Sequence, residues 1–180
     1  MIFTPLELAG AFLIDVEPRR DDRGFFARTY CDEEFRAQGI DAVFRQSSVS
    51  FNAGRGTLRG MHYQAEPHAE DKLVRCTAGS VFDVLVDLRP RSPTRHRWFG
   101  TTLSSENRRA LFVPRGFAHG FISLLDATEV SYMISVAHAP DFSRGFRWND
   151  PAIGIEWPIE PVIVAPRDQS FPPLADGATI

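Results

Sequence analysis

A chain of 180 residues can bury one sizeable core, and 43% hydrophobic with 24% charged residues is a globular composition rather than a disordered one. The formal net charge of -3 carries no long run of either sign, which argues against generic nucleic-acid binding and against a polybasic membrane anchor. Small acidic ligands stay open, because a few placed arginines suffice to hold them.

Taken in chain order, the start from Met1 to Val16 has no basic leader, carries Pro5 and Glu7, and lacks an apolar run able to span a bilayer. No targeting segment is expected, and the cytoplasm is the expected compartment. Arginines follow at 19, 20, 23 and 28, with Arg55 and Arg59 later. A short helix is predicted over Asp32–Gln38, with Asp32 as its cap and Gly39 closing it. Arg59–Gln64, RGMHYQ, reads as a strand, on which Met61 and Tyr63 face away from His62 and Gln64. Asp71–Val74 follows, where Lys72 alone would read as a solvated edge residue. Val81–Leu88, Ala110–Val113 and Glu129–Val136 are strand-length, β-branched and aromatic-rich; Ala78–Ser80 and Pro90–Pro93 are turns. Pro114–Phe121, PRGFAHGF, is a turn leading into a strand that starts near His119. From about Pro166 to Ile180 the tail is predicted to be irregular but packed. Cys31 and Cys76 make no spacing motif and read as reduced thiols.

Thirteen glycines and thirteen prolines break the chain into short apolar runs, with neither a repeat nor a linker. The expectation is an all-β domain over 1–180, a sandwich, jelly roll or barrel with one or two short helices and a pocket at its mouth. His62 is the candidate acid/base in that pocket. Arg23 and Arg59 lie beside glycine and apolar residues and could grip a phosphate in bidentate fashion. No glycine-rich phosphate loop is present.

Together the segments DDRGFF (21–26), Gln46, LRGMHYQ (58–64), KLVRC (72–76), GSVFDVLVDLRPRSPT (79–94), LSSEN (103–107), VPRGFAHGF (113–121), WNDPAIGIEWP (148–158) and Asp168 resemble the dTDP-4-dehydrorhamnose 3,5-epimerase family. The resemblance implies a cupin jelly-roll barrel, a homodimer, no metal and no organic cofactor. It implies epimerisation of a nucleotide-linked 4-keto-6-deoxysugar, in which the ketone acidifies the neighbouring carbon-bound protons. By resemblance His62 is the base, Asp168 its orienting partner and Lys72 the cation facing the enolate oxygen. Arg23, Gln46, Arg59 and His119 map to nucleotide-sugar contacts, and Arg28 and His138 are further candidate substrate contacts at positions where the chain departs from the family.

Three positions depart from the pattern. Ala137 stands where the family usually carries its tyrosine acid, Arg28 where it usually has glutamate, and Ser48 where it usually has asparagine. A water, His138 or an altered specificity is then expected to replace the acid. The alternatives are inversion of one carbon only, a related keto-sugar isomerisation, or binding without turnover. A metal-dependent cupin is a further alternative: His119 would be one ligand, but Gln64 occupies a second ligand place, and His68 and Glu70 lie beyond Pro67.

Overall fold

Alternating apolar and polar residues at period two, cut by glycine and proline, leave the chain no length over which to form long helices. The computed structural model describes residues 1–174. Its strands are β1 (Ile2–Pro5), β2 (Phe12–Asp15), β3 (Arg19–Asp21), β4 (Gly24–Phe26), β5 (Gln46–Asn52), β6 (Thr57–Gln64), β7 (Lys72–Ala78), β8 (Ser80–Asp87), β9 (Trp98–Ser104), β10 (Ala110–Val113), β11 (Phe117–Ser123), β12 (Thr128–Ile134), β13 (Ser143–Gly145) and β14 (Ile163–Val164). Two short helices accompany them, α1 (Asp32–Ala37) and α2 (Pro166–Ser170). No helix among the described residues is long and apolar enough to cross a membrane.

Two sheets make the body. One runs β1-β2-β10-β7-β12-β5; the other runs β13-β6-β11-β8-β9, with β14 added in parallel to β6. The strands β3 and β4 form a separate hairpin. The two sheets close on each other as a jelly-roll, cupin-like barrel. Its interior is one cluster, in which Val74, Cys76, Val130 and Leu111 of the first sheet meet Val81, Leu85, Phe117 and Phe121 of the second. Each large apolar side chain fully buried here contributes roughly 1.5–3 kcal/mol. The outer faces are covered separately. Phe35 of α1 packs with Ile14, Leu73 and Phe112 on the first sheet, while Met61, Val84 and Val86 pack with Phe146 on the second.

The turn at Ala78–Ser80 is made by Gly79 at φ +73°, in the left-handed region that favours glycine. Three expectations need correction. The N-cap of α1 is Cys31 rather than Asp32, which is the first helical residue; three acidic residues in that turn interact with the helix dipole instead. Lys72 is on a central strand, paired on both sides by β10 and β12, and is no edge residue. Part of the tail is regular, because Pro166 presets the first turn of α2. The expected irregular segment at 175–180 lies outside the described residues.

Candidate active site

Strand alternation decides which side chains meet inside the barrel. On β7, Val74 and Cys76 belong to the interior cluster, so Lys72 shares their face. On β12, Val130 and Tyr132 do the same. The ladder aligns Gln46, Ile134 and Lys72 in one row and Ser48, Tyr132 and Val74 in the next. On the opposite sheet, Phe117 and Phe121 place His119 inward, and His119 lies directly across from His62. Arg59 pairs with Phe121 and follows onto the same face.

The register shifts between His119 and Phe121, where the backbones of β6 and β11 come unusually close. A Cβ on Gly120 would lie 2.6 Å from the Met61 Sδ and 2.9 Å from the Arg59 carbonyl oxygen. Gly60, at φ +143°, accommodates the same approach from β6. These two glycines let the strands carrying His62 and His119 pack without a side chain between them.

The imidazole of His62 makes a 2.8 Å hydrogen bond through Nε2 to Oδ1 of Asp168, which α2 delivers from far along the chain. The Gly60 N–H donates to the other carboxylate oxygen at 3.1 Å. Burial works against the charge on Asp168. The hydrogen bond and charge of His62, the Gly60 N–H and Arg167 outweigh it and hold the carboxyl below its usual range. Phe171 meets the His62 ring edge-on at 5.7 Å. With Nε2 engaged by a carboxylate, Nδ1 is the ring nitrogen left to exchange a proton with a ligand.

A second imidazole–carboxylate pair lies beside the first. His119 Nε2 is 2.9 Å and 3.0 Å from the two oxygens of Asp83, a carboxylate with no exposed surface. The ring of Tyr132 stands edge-on to His119 at 6.1 Å. Burial pushes the Tyr132 phenol well above its ordinary range and Asp83 adds to the shift, while Arg59 and Ser50 oppose it. That phenol is a neutral donor at any physiological pH. Lys72 is held by Glu70 at 2.9 Å, both nearly buried. Arg59 donates from Nε to Asn52 at 2.9 Å and from Nη2 to the Phe51 carbonyl at 3.3 Å.

Of the expected residues, His62, Asp168, Lys72, Gln46 and His119 converge on the barrel interior, and the exposed Arg59 reaches its rim through Asn52. Arg23 and Arg28 do not. Arg23 projects from the β3–β4 hairpin onto Asp21, and Arg28 pairs with Glu34. Ala137 and His138 are exposed in the segment after β12, and no hydrogen bond joins His138 to the cluster. Tyr132 and Asp83, the latter inside the matching segment 79–94, join the cluster although neither is among the expected site residues. The period-two pattern of EVSYMISV was the available signal, since it places Tyr132 on the face of Val130.

The family model for dTDP-4-dehydrorhamnose 3,5-epimerase matches residues 5–176. The dTDP-4-dehydrorhamnose 3,5-epimerase of Sinorhizobium fredii is 42% identical over 177 residues, 98% of this chain and 91% of that protein. A crystal structure of the Bacillus anthracis enzyme of the same name, with TDP and pyrophosphate bound, superposes with a TM-score of 0.93 at 38% identity, covering 96% of this chain and 99% of that one. A double mutant of a Streptomyces bikiniensis 3'-monoepimerase in complex with dTDP gives a TM-score of 0.85 at 32% identity, covering 94% and 85%. With its barrel, its inward histidine–aspartate pair and these matches, the chain belongs to the dTDP-4-dehydrorhamnose 3,5-epimerase family and is an enzyme of the isomerase class.

Proposed function

We propose that the protein epimerises a dTDP-linked 4-keto-6-deoxysugar at the carbons beside its ketone. The observation that carries this reading is the 2.8 Å His62–Asp168 pair on the inner face of one sheet, with Lys72 and Tyr132 on the facing sheet. His62 takes the carbon-bound proton as base, and Asp168 fixes its tautomer and offsets the imidazolium charge. The electron pair released from carbon moves onto the C4 oxygen as an enolate, which the Lys72 ammonium stabilises as the charge appears. Tyr132 returns a proton to the opposite face of that carbon; the His62 imidazolium then gives its proton to solvent and solvent reprotonates the phenolate, which restores both groups.

Tyr132 thereby fills the role that Ala137 cannot. The histidine and tyrosine replaced in the Streptomyces bikiniensis double mutant are 70 positions apart, the same separation as His62 and Tyr132. Gln46, Arg59 and His119 are proposed to hold the nucleotide-sugar from the inner face; Arg23, Arg28 and His138 are proposed to contact it from outside. A homodimer in the cytoplasm, working without metal or organic cofactor, completes the reading.

The test is proton exchange. In deuterium oxide with dTDP-4-keto-6-deoxyglucose, NMR should show label entering C3 and C5 with the wild type and at neither carbon with His62→Ala. Label at one carbon only would support the second reading, a single-carbon epimerase like the Streptomyces bikiniensis relative. No label at either carbon would refute both.

A further inference from the structure

We propose that a cavity on the outer face of the six-stranded sheet, remote in chemistry from the barrel interior, binds a single tetrahedral oxyanion of the inorganic phosphate class. The cavity holds about 230 Å³, and Phe25, Thr29, Arg75, Thr77, Ser105 and Arg108 are among its lining residues. On β7, Val74 and Cys76 point into the barrel, so Arg75 and Thr77 point out of it. The chain around the β3–β4 hairpin closes the other side with Phe25 and Thr29.

Arg75 is the feature that needs an explanation. Its Nε is buried with no hydrogen-bond partner, and one Nη reaches only the Arg108 carbonyl at the long distance of 3.5 Å. Burial lowers the guanidinium's hold on its proton, and no carboxylate offsets the effect. Where Arg89 packs down against the chain it carries Asp87 with it at 2.7 Å; Arg75 has no such companion. Arg108 supplies a second positive charge, stacked 4.7 Å over the Phe25 ring, and it too has no carboxylate partner among the described residues. Glu129, the acidic group nearest in the hydrogen-bond pattern, accepts from the Thr77 hydroxyl at 2.7 Å and pairs with neither arginine.

Uncompensated charge under partial cover costs free energy that a bound anion restores, and a guanidinium presents the planar fork that tetrahedral oxyanions fit. Size selects the ligand. Pockets for drug-sized ligands run to roughly 300–1,000 Å³, so this one admits a phosphate ion with a few waters and excludes a nucleotide. The two arginines supply the charge, and Thr29 and Ser105 complete the wall.

The experiment titrates sodium phosphate into the full-length protein at constant ionic strength, with chloride as the control, and follows calorimetric heat and melting temperature. The wild type should show saturable binding above the chloride baseline. Arg75→Gln should weaken it at least tenfold, while Arg59→Gln, in the barrel, should leave it unchanged. Arg108→Gln should also weaken it, and carries the test if Arg75→Gln does not fold. The proposal is overturned if phosphate acts no differently from chloride, or if Arg75→Gln and Arg108→Gln bind as the wild type does. It is equally overturned if binding is lost in Arg59→Gln, which would put the ion in the barrel. Displacement of phosphate by dTDP in the Arg59→Gln background would overturn the size argument and assign the cavity to phosphate end groups.

Discussion

Replacing Tyr132 with phenylalanine separates the two half-reactions at this site. The ring stays, and with it the edge-on contact to His119 and the packing against the interior cluster. Only the hydroxyl is lost. A lost hydrogen bond costs about 0.5–1.5 kcal/mol of stability, a melting shift of a few degrees in a domain of this length. A missing proton donor removes ~10²–10⁴-fold in rate, far beyond what that destabilisation can produce. His62 and Asp168 are untouched, so carbon–hydrogen cleavage continues and the proton returns from the side it left. The expected signature is deuterium wash-in that persists while inverted product falls at least a hundredfold. NMR of one reaction in deuterium oxide reports both quantities, and a melting curve checks the fold. Epimerisation within threefold of wild type in Tyr132→Phe would refute the assignment. A large gain on restoring a phenol by Ala137→Tyr would show that the donor's place lies after β12 instead.

Asp168→Asn should cut turnover by ~10²–10⁴-fold through loss of tautomer control, seen in steady-state kcat. The same variant reports a pH linkage. Because the folded carboxyl titrates below its ordinary value of 3.8, its stabilisation is full above that value and is lost as pH falls through the folded one. Urea midpoints of wild type and Asp168→Asn should therefore converge on acidification. Gly120→Ala forces a Cβ to within 3.0 Å of the Gly60 Cα and closer still to Met61 and Arg59; it should cost ~1–3 kcal/mol by urea unfolding and depress activity, since β6 carries His62. Burial pushes the Cys76 thiol up to about 11, so Cys31 should react first with a disulfide reagent at pH 8, leaving one slow thiol per native chain.

Much of this site is legible where its strands alternate cleanly. In MHYQ, Met61 packs outside the second sheet while His62 faces the barrel, as period two requires, whereas the register shift at Gly60 brings Arg59 onto the His62 face against that period. Lys72 was harder to place, because a lone lysine in a strand reads as an edge until its neighbours are known, and β10 and β12 come from distant sequence. Tyr132 is hidden for a related reason. In sequence it is one more aromatic in an apolar run, and its chemistry arises from burial, with Asp83 and Arg59 on other strands and the His119 ring edge-on to it. Position 137 is a motif mismatch, yet the chain there has left β12 and turned to solvent. Arg23 shows the opposite limit: proximity to glycine and aromatics says nothing about which direction a hairpin projects.

The orienting carboxylate of the proposed base arrives 106 positions after the histidine it serves. Synthesis at about 5–20 residues per second thus leaves an interval on the order of 5–20 s in which His62 exists without its partner. The parallel addition of β14 to β6 and the short helix α2 are the last elements made among the described residues. A nascent chain can therefore close its barrel before it can hold its proposed base in register. Chains broken off between residues 134 and 166 would keep the barrel strands β1 to β12 yet lack Asp168, and should turn over no faster than Asp168→Asn.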